Sequence, residues 1–166
     1  MSRLRLFLTA VSATVVGFLA RYVARFEAVD ASMAPTIRAG DYLVATRLTG
    51  SSSRSVPPST LVVFPHPTEA DMLLVKRVVA VAGDTVGIHG GRLSVNQTAL
   101  AQPWAQGALA GKGDWKLGKG QMFVLSDNRT VDTADSRTFG PIDTRSGVWR
   151  VRFRYWPISR IGAIGD

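Results

Sequence analysis

The chain has 166 residues, no cysteine, two histidines and a formal net charge of +8 at pH 7. That length holds one domain with a real hydrophobic core and is short for two. The absence of cysteine excludes disulfides, thiolate nucleophiles and cysteine-ligated metals, and His66 and His89 stand in no H-E-x-x-H pattern, so neither metal nor cofactor is expected. The positive charge suits nucleic acid, anionic lipid or acidic substrates and does not choose among them.

From Leu4 to Ala24 the chain is almost free of polar side chains. A helix needs about 20 residues to span a hydrocarbon core of about 30 Å. Arg5 and Arg21 would then reach the two interfaces, where long cationic side chains snorkel outward. Residues 1–25 are therefore read as one N-terminal transmembrane helix, anchoring the chain in membrane lipid. Two other readings compete. A cleavable signal peptide should end in small residues, and Arg21-Tyr22-Val23-Ala24-Arg25-Phe26 is a poor cleavage end. A buried core helix is compatible with the short uninterrupted run from Leu6 to Ala20. Arginines balance across the segment, so its orientation is not readable from charge.

Residues 26–166 read as a single β-rich domain. Ser32-Met33-Ala34-Pro35-Thr36 opens it, either as a plain turn or as a turn that presents a serine nucleophile within about 25 Å of a membrane surface. Arg38 to Asp41 reads as a turn, Tyr42 to Leu48 as a strand, and Thr49 to Ser59 as a Ser-, Gly- and Pro-rich surface loop. Leu61 to Phe64 is a short apolar strand closed by Pro65 and Pro67, with His66 a loop residue between them.

Leu73 to Ala82 is a near-continuous apolar run that fits a strand buried on both faces. Strand alternation places Lys76 with Leu74, Val78 and Ala80, and Arg77 with Val75 and Val79 on the other face. Lys76 either snorkels to solvent, pairs with a carboxylate, or stays buried. In the last case desolvation favours its neutral form, which accepts a proton as a serine nucleophile requires. No G-x-S-x-G and no S-x-x-K occurs, so Ser32 has no better partner in the chain.

Thr85 to His89, Gly90-Gly91 and Arg92 to Asn96 form a hairpin pattern around a two-residue turn. Residues 97–120 are glycine-rich without sustained period and read as a loop-rich insertion, after which Met122 to Leu125 is a strand. The polar stretch Ser126 to Arg137 is either an ordinary solvated loop or a set of fixed ion pairs behind a site, and its carboxylate spacing fits no calcium loop. Val148 to Tyr155 alternates, with Trp149, Val151, Phe153 and Tyr155 facing a core and Arg150, Arg152 and Arg154 forming a stripe that meets solvent or anionic lipid.

Taken in order, these segments resemble the type I signal peptidases, a family of Ser/Lys endopeptidases. The matching residues are Ser32-Met33-x-Pro35-Thr36, Gly40-Asp41, Lys76-Arg77-Val78-Val79, Gly83-Asp84, Leu93-x-Val95-Asn96, Pro103-Trp104, Asp127-Asn128 and Asp135-Ser136-Arg137-x-Phe139-Gly140-Pro141. The resemblance implies a mainly β fold, an antiparallel β-sheet catalytic domain behind one N-terminal transmembrane helix, in a bacterial membrane with the N-terminus inside and the domain outside. It implies Ser32 as nucleophile and Lys76 as general base, acting on secreted pre-proteins after small residues of the Ala-x-Ala kind. Asp127, Asn128, Asp135, Ser136 and Arg137 would support the site, and Met33 and Leu74 would line the small-residue pockets.

Three departures from the family pattern stand out. Asp30 replaces the Ser or Gly usual two residues before the nucleophile, and an ionised carboxylate cannot donate to an oxyanion; the Ser32 amide is expected to remain available. Ser126 replaces a Gly. The spacing from Asn128 to Asp135 is one residue longer than usual, so the lysine-orienting hydroxyl falls on Thr133 counted from one side and on Asp132 from the other, with Thr133 preferred. A dedicated maturation or conjugation-type protease of the same family is the alternative enzyme. A basic membrane-anchored module binding nucleic acid or lipid is the non-enzymatic one; it explains the charge and leaves the Ser32 and Lys76 motifs as coincidence, and nucleic acid is not expected as a partner.

Overall fold

The structure is a computed structural model that describes residues 21–49, 56–69 and 71–164. The predicted anchor falls almost wholly outside the described residues. Among the described residues no helix is long and apolar enough to cross a membrane. Arg21 and Tyr22 are helical, and a strand begins at Val23, inside the segment assigned to the anchor.

In chain order the strands are β1 (Val23–Glu27), β2 (Tyr42–Arg47), β3 (Leu61–Pro65), β4 (Leu73–Val81), β5 (Thr85–His89), β6 (Arg92–Val95), β7 (Thr98–Ala99), β8 (Gly113–Lys116), β9 (Gln121–Leu125), β10 (Ile142–Asp143), β11 (Trp149–Trp156) and β12 (Gly162–Ala163), with a one-turn helix α1 (Ser136–Phe139) before β10. They form two sheets. The larger runs β1-β2-β11-β3-β4-β9-β10 with β12 beside β11, and the smaller runs β7-β6-β5-β8. Every pairing of these strands is antiparallel. The fold is thus mainly antiparallel β, as the short, turn-punctuated apolar runs predict.

Among the described residues three apolar clusters hold the layers together, each large side chain contributing about 1.5–3 kcal/mol by leaving water. Val62, Phe64, Leu74, Val78 and Val124 centre the first, and Val86, Ile88, Leu93, Phe123 and Leu125 join the small sheet to β4 and β9. The third, built on Met33, Ile37, Leu43, Leu61, Val63 and Val151, lies beneath the segment that carries Ser32. The β5–β6 hairpin closes through Gly90 and Gly91 at φ 55° and 74°, which only glycine adopts cheaply in both positions.

Several local expectations change. Residues 97–120 contain β8, which pairs with β5, so the insertion supplies one edge of the second sheet. β4 is buried on both faces as expected, but a register irregularity between Val78 and Ala80 resets the alternation. Ala80 therefore packs with Val79 in the second cluster, away from the face of Leu74 and Val78. β11 carries two such irregularities, between Val151 and Phe153 and between Arg154 and Trp156, and Phe153 is turned outward at 38% exposed. Arg154, expected on a solvated or lipid-facing stripe, instead donates to Asp41 at 3.1 Å and to the Thr36 carbonyl at 2.9 Å.

Candidate active site

Ser32 lies in the turn-rich segment between β1 and β2 and is 2% exposed. Met33 and Ile37, buried in the third cluster, pin that segment from below, and the Ile37 amide donates to the Met33 carbonyl at 2.8 Å. From the other side it is held by Asn128. The Asn128 amide donates to the Ser32 carbonyl at 2.8 Å and its Nδ2 to the Ala31 carbonyl at 3.0 Å. Asn128 is itself fixed, because its Oδ1 accepts from the Thr130 amide and hydroxyl.

Lys76 comes from the middle of β4, opposite Val62 of β3, and is 1% exposed. Its Nζ donates to Ser32 Oγ at 2.8 Å and to Thr133 Oγ1 at 3.1 Å. Thr133 Oγ1 shares a hydrogen bond of 3.1 Å with Ser126 Oγ. Of the two candidates left by the spacing, Thr133 thus meets the lysine, while Asp132 is exposed. Burial lowers the Lys76 pKa from its ordinary value; the Asp30, Asp135 and Asp127 carboxylates pull it back up, and Arg137 opposes them. A lysine in this setting can cycle between neutral and charged forms, which a proton acceptor beside a hydroxyl must do.

Arg77, next along β4, points the other way into a buried ion pair. Its Nε donates to Asp127 Oδ1 at 2.8 Å and its Nη2 to Oδ2 at 2.7 Å, while Nη1 reaches the Ser59 carbonyl at 2.8 Å. Asp127 Oδ2 also accepts from the Thr36 hydroxyl at 2.6 Å, tying the pair to the end of the Ser32 segment. The Trp104 ring covers the guanidinium, 4.9 Å from its carbon. Asp135 plays a second, parallel part. It accepts from the Ser126 amide at 3.0 Å and from the Arg137 side chain at 2.8 Å through each oxygen, and caps α1 through the Arg137 amide. Ser136 Oγ accepts from the Val124 amide of β9 at 2.9 Å. Residues 126–128 and 133–137 therefore form a fixed framework, while 130–132 are exposed.

The structure brings Ser32, Lys76 and Thr133 together and sets Asp127, Asn128, Asp135, Ser136 and Arg137 behind them. Leu74 lines a groove of about 260 Å³ together with Phe26, Ala28, Asp30, Leu43 and Val75, whereas Met33, 1% exposed, lies in the core beneath. One expectation is overturned: the Ser32 amide is engaged, donating to Asp30 Oδ1 at 2.8 Å. An aspartate two residues before an amide closes such a turn readily. Sequence reasoning also missed Thr36, Trp104 and Ser126 as parts of the site, and the pairing of Arg77 with Asp127. The signal for that pairing was present, since an arginine in a strand buried on both faces needs a buried counter-ion.

A family model for signal peptidase, peptidase S26, matches residues 3–156. Signal peptidase I of Leptolyngbya laminosa is 31% identical over 145 residues, covering 81% of this chain and 69% of that protein. Signal peptidase IB of Staphylococcus aureus is 35% identical over 147 residues, covering 77% and 75%. Among solved structures, a signal peptidase I from Enterococcus faecalis matches with a TM-score of 0.46 at 23% identity, covering 55% of this chain and 92% of that one.

Proposed function

We propose that this chain, which belongs to the signal peptidase family S26 and is a serine peptidase, removes signal peptides from secreted pre-proteins with Ser32 as nucleophile and Lys76 as general base. The observation that carries the reading is the buried 2.8 Å contact between Lys76 Nζ and Ser32 Oγ, on a lysine whose pKa is lowered by burial. Neutral Lys76 takes the Ser32 proton as Oγ attacks the scissile carbonyl, and the resulting ammonium returns a proton to the leaving amine. The acyl-enzyme is then released by water that Lys76 deprotonates in the same way. Thr133 holds the lysine Nζ toward Ser32, and Asn128 holds the serine backbone.

The apolar groove formed by Phe26, Ala28, Leu43, Leu74 and Val75 supports binding of an extended, small-residue segment before the cut. In this reading the residues before β1 anchor the chain as a single-pass membrane protein with the catalytic domain on the outer face. Incubation of the full chain with a pre-protein carrying an Ala-x-Ala site tests it: Ser32→Ala and Lys76→Ala should each lose about a thousandfold or more in rate. Cleavage at wild-type rate by either variant would refute the dyad.

A further inference from the structure

A serine nucleophile that attacks a carbonyl leaves a negatively charged oxygen, and backbone N–H groups hold it, the nucleophile's own among them. In the resting structure that donor is taken. The Ser32 amide gives its hydrogen to Asp30 Oδ1 at 2.8 Å. A carboxylate only accepts hydrogen bonds, so it competes with the oxyanion for the same N–H and repels it by charge.

Lys76 feels the same group. The carboxylates that favour its charged form are Asp30, Asp135 and Asp127, with Arg137 opposing them. Asp127 is locked to Arg77 and Asp135 to Arg137, both carboxylates fully buried. Asp30 is exposed and lines the groove beside Ser32, so it is the one of the three whose charge can leave by rotation into water.

We propose that Asp30 is a substrate-displaced brake: in the resting enzyme its carboxylate occupies the place on the Ser32 amide that the tetrahedral oxyanion takes. The inference rests on the peptidase reading above and names the residue that gates it. An extended substrate filling the groove turns Asp30 outward. That single movement frees the N–H and removes a negative charge from the neighbourhood of Lys76, favouring the neutral base. An empty site therefore holds its nucleophile in a poorly catalytic state.

The test compares kcat, KM and the pH dependence of kcat/KM for the wild-type chain, Asp30→Asn, Asp30→Ser and Ser32→Ala on an Ala-x-Ala pre-protein. Asp30→Ser frees the amide and adds a hydroxyl donor; kcat/KM should rise about tenfold or more, the order expected for giving up a hydrogen bond to a charged acceptor, with a lower KM because substrate no longer has to displace the carboxylate on binding. Asp30→Asn keeps the shape and the turn-forming oxygen while removing the charge. Its acid limb should move to lower pH, and it carries the test if the serine variant folds poorly. The brake is overturned if both variants cleave no faster than wild type with the acid limb unmoved. It is equally overturned if wild type is fastest in acid and Asp30→Asn is slower, because Asp30 would then act as a protonated donor. Cleavage surviving in Ser32→Ala would instead strike the peptidase assignment itself.

Discussion

Replacing Asp127 with alanine strands the Arg77 guanidinium. The two side chains are 4% and 0% exposed, and among the described residues the guanidinium keeps only the Ser59 carbonyl, the Thr36 hydroxyl and the Trp104 ring as partners. Arginine does not lose its proton at any working pH, so its charge stays uncompensated. Breaking a buried pair in this way costs about 3–5 kcal/mol. For a chain of this size that lowers Tm by roughly 6–20 °C. Arg77→Met together with Asp127→Ala removes both charges and should recover a large part of that loss, since an apolar replacement of a buried pair is often neutral or better. Thermal unfolding followed by circular dichroism on the two single variants and the double variant gives the coupling directly. Additive losses, with the double variant less stable than Asp127→Ala by the full effect of Arg77→Met, would refute the account of this pair.

Three further outcomes follow from the site. Burial lowers the Lys76 pKa below its ordinary value of 10.5, so between the folded and unfolded values the folded chain binds fewer protons and the stability contributed by this group rises with pH. Cleavage should accordingly fall as pH drops through the folded pKa, and the Tm of Lys76→Met should gain on wild type as pH is lowered from 10.5 toward the folded pKa; a pH-independent Tm difference would contradict the buried-lysine assignment. Thr133→Val removes one of the two hydroxyls that hold the Lys76 Nζ and should lower kcat about tenfold with little change in KM, while Thr133→Ser stays near wild type in steady-state assays.

Strand runs such as Leu61 to Phe64 and Leu73 to Ala82 were readable because burial on both faces leaves near-continuous apolar sequence, and the Gly90-Gly91 turn because it requires positive φ twice. The first strand was not readable. Val23–Glu27 follows directly on the apolar segment and carries Arg25 and Glu27, and its strand character comes from pairing with β2, a long-range contact that local composition does not encode. β8 was hidden for a related reason: it is a four-residue edge with alternate exposure, flanked by glycines, and β5 supplies its pairing. Lys76 and Arg77 stood out as charges in a strand apolar on both faces, and Thr133, 57 residues from Lys76, was named only through the family spacing, while Asp127, 50 residues from Arg77, is paired with it by the fold. The Asp30 contact needs no long reach, only two residues, yet a sequence cannot say whether a side chain turns back onto its own backbone.

The order β1-β2-β11-β3-β4 places the last long strand of the chain between the halves that carry the two proposed catalytic side chains. Ser32 belongs to the β1–β2 half and Lys76 to the β3–β4 half, and β11 is the strand hydrogen-bonded to both β2 and β3. During synthesis from the N-terminus, nucleophile and base emerge long before the strand that sets them in register. Such non-local pairing forms late, because loop closure precedes any gain from contact. A nascent or incompletely folded chain therefore holds both proposed catalytic side chains before the sheet that brings them together has formed.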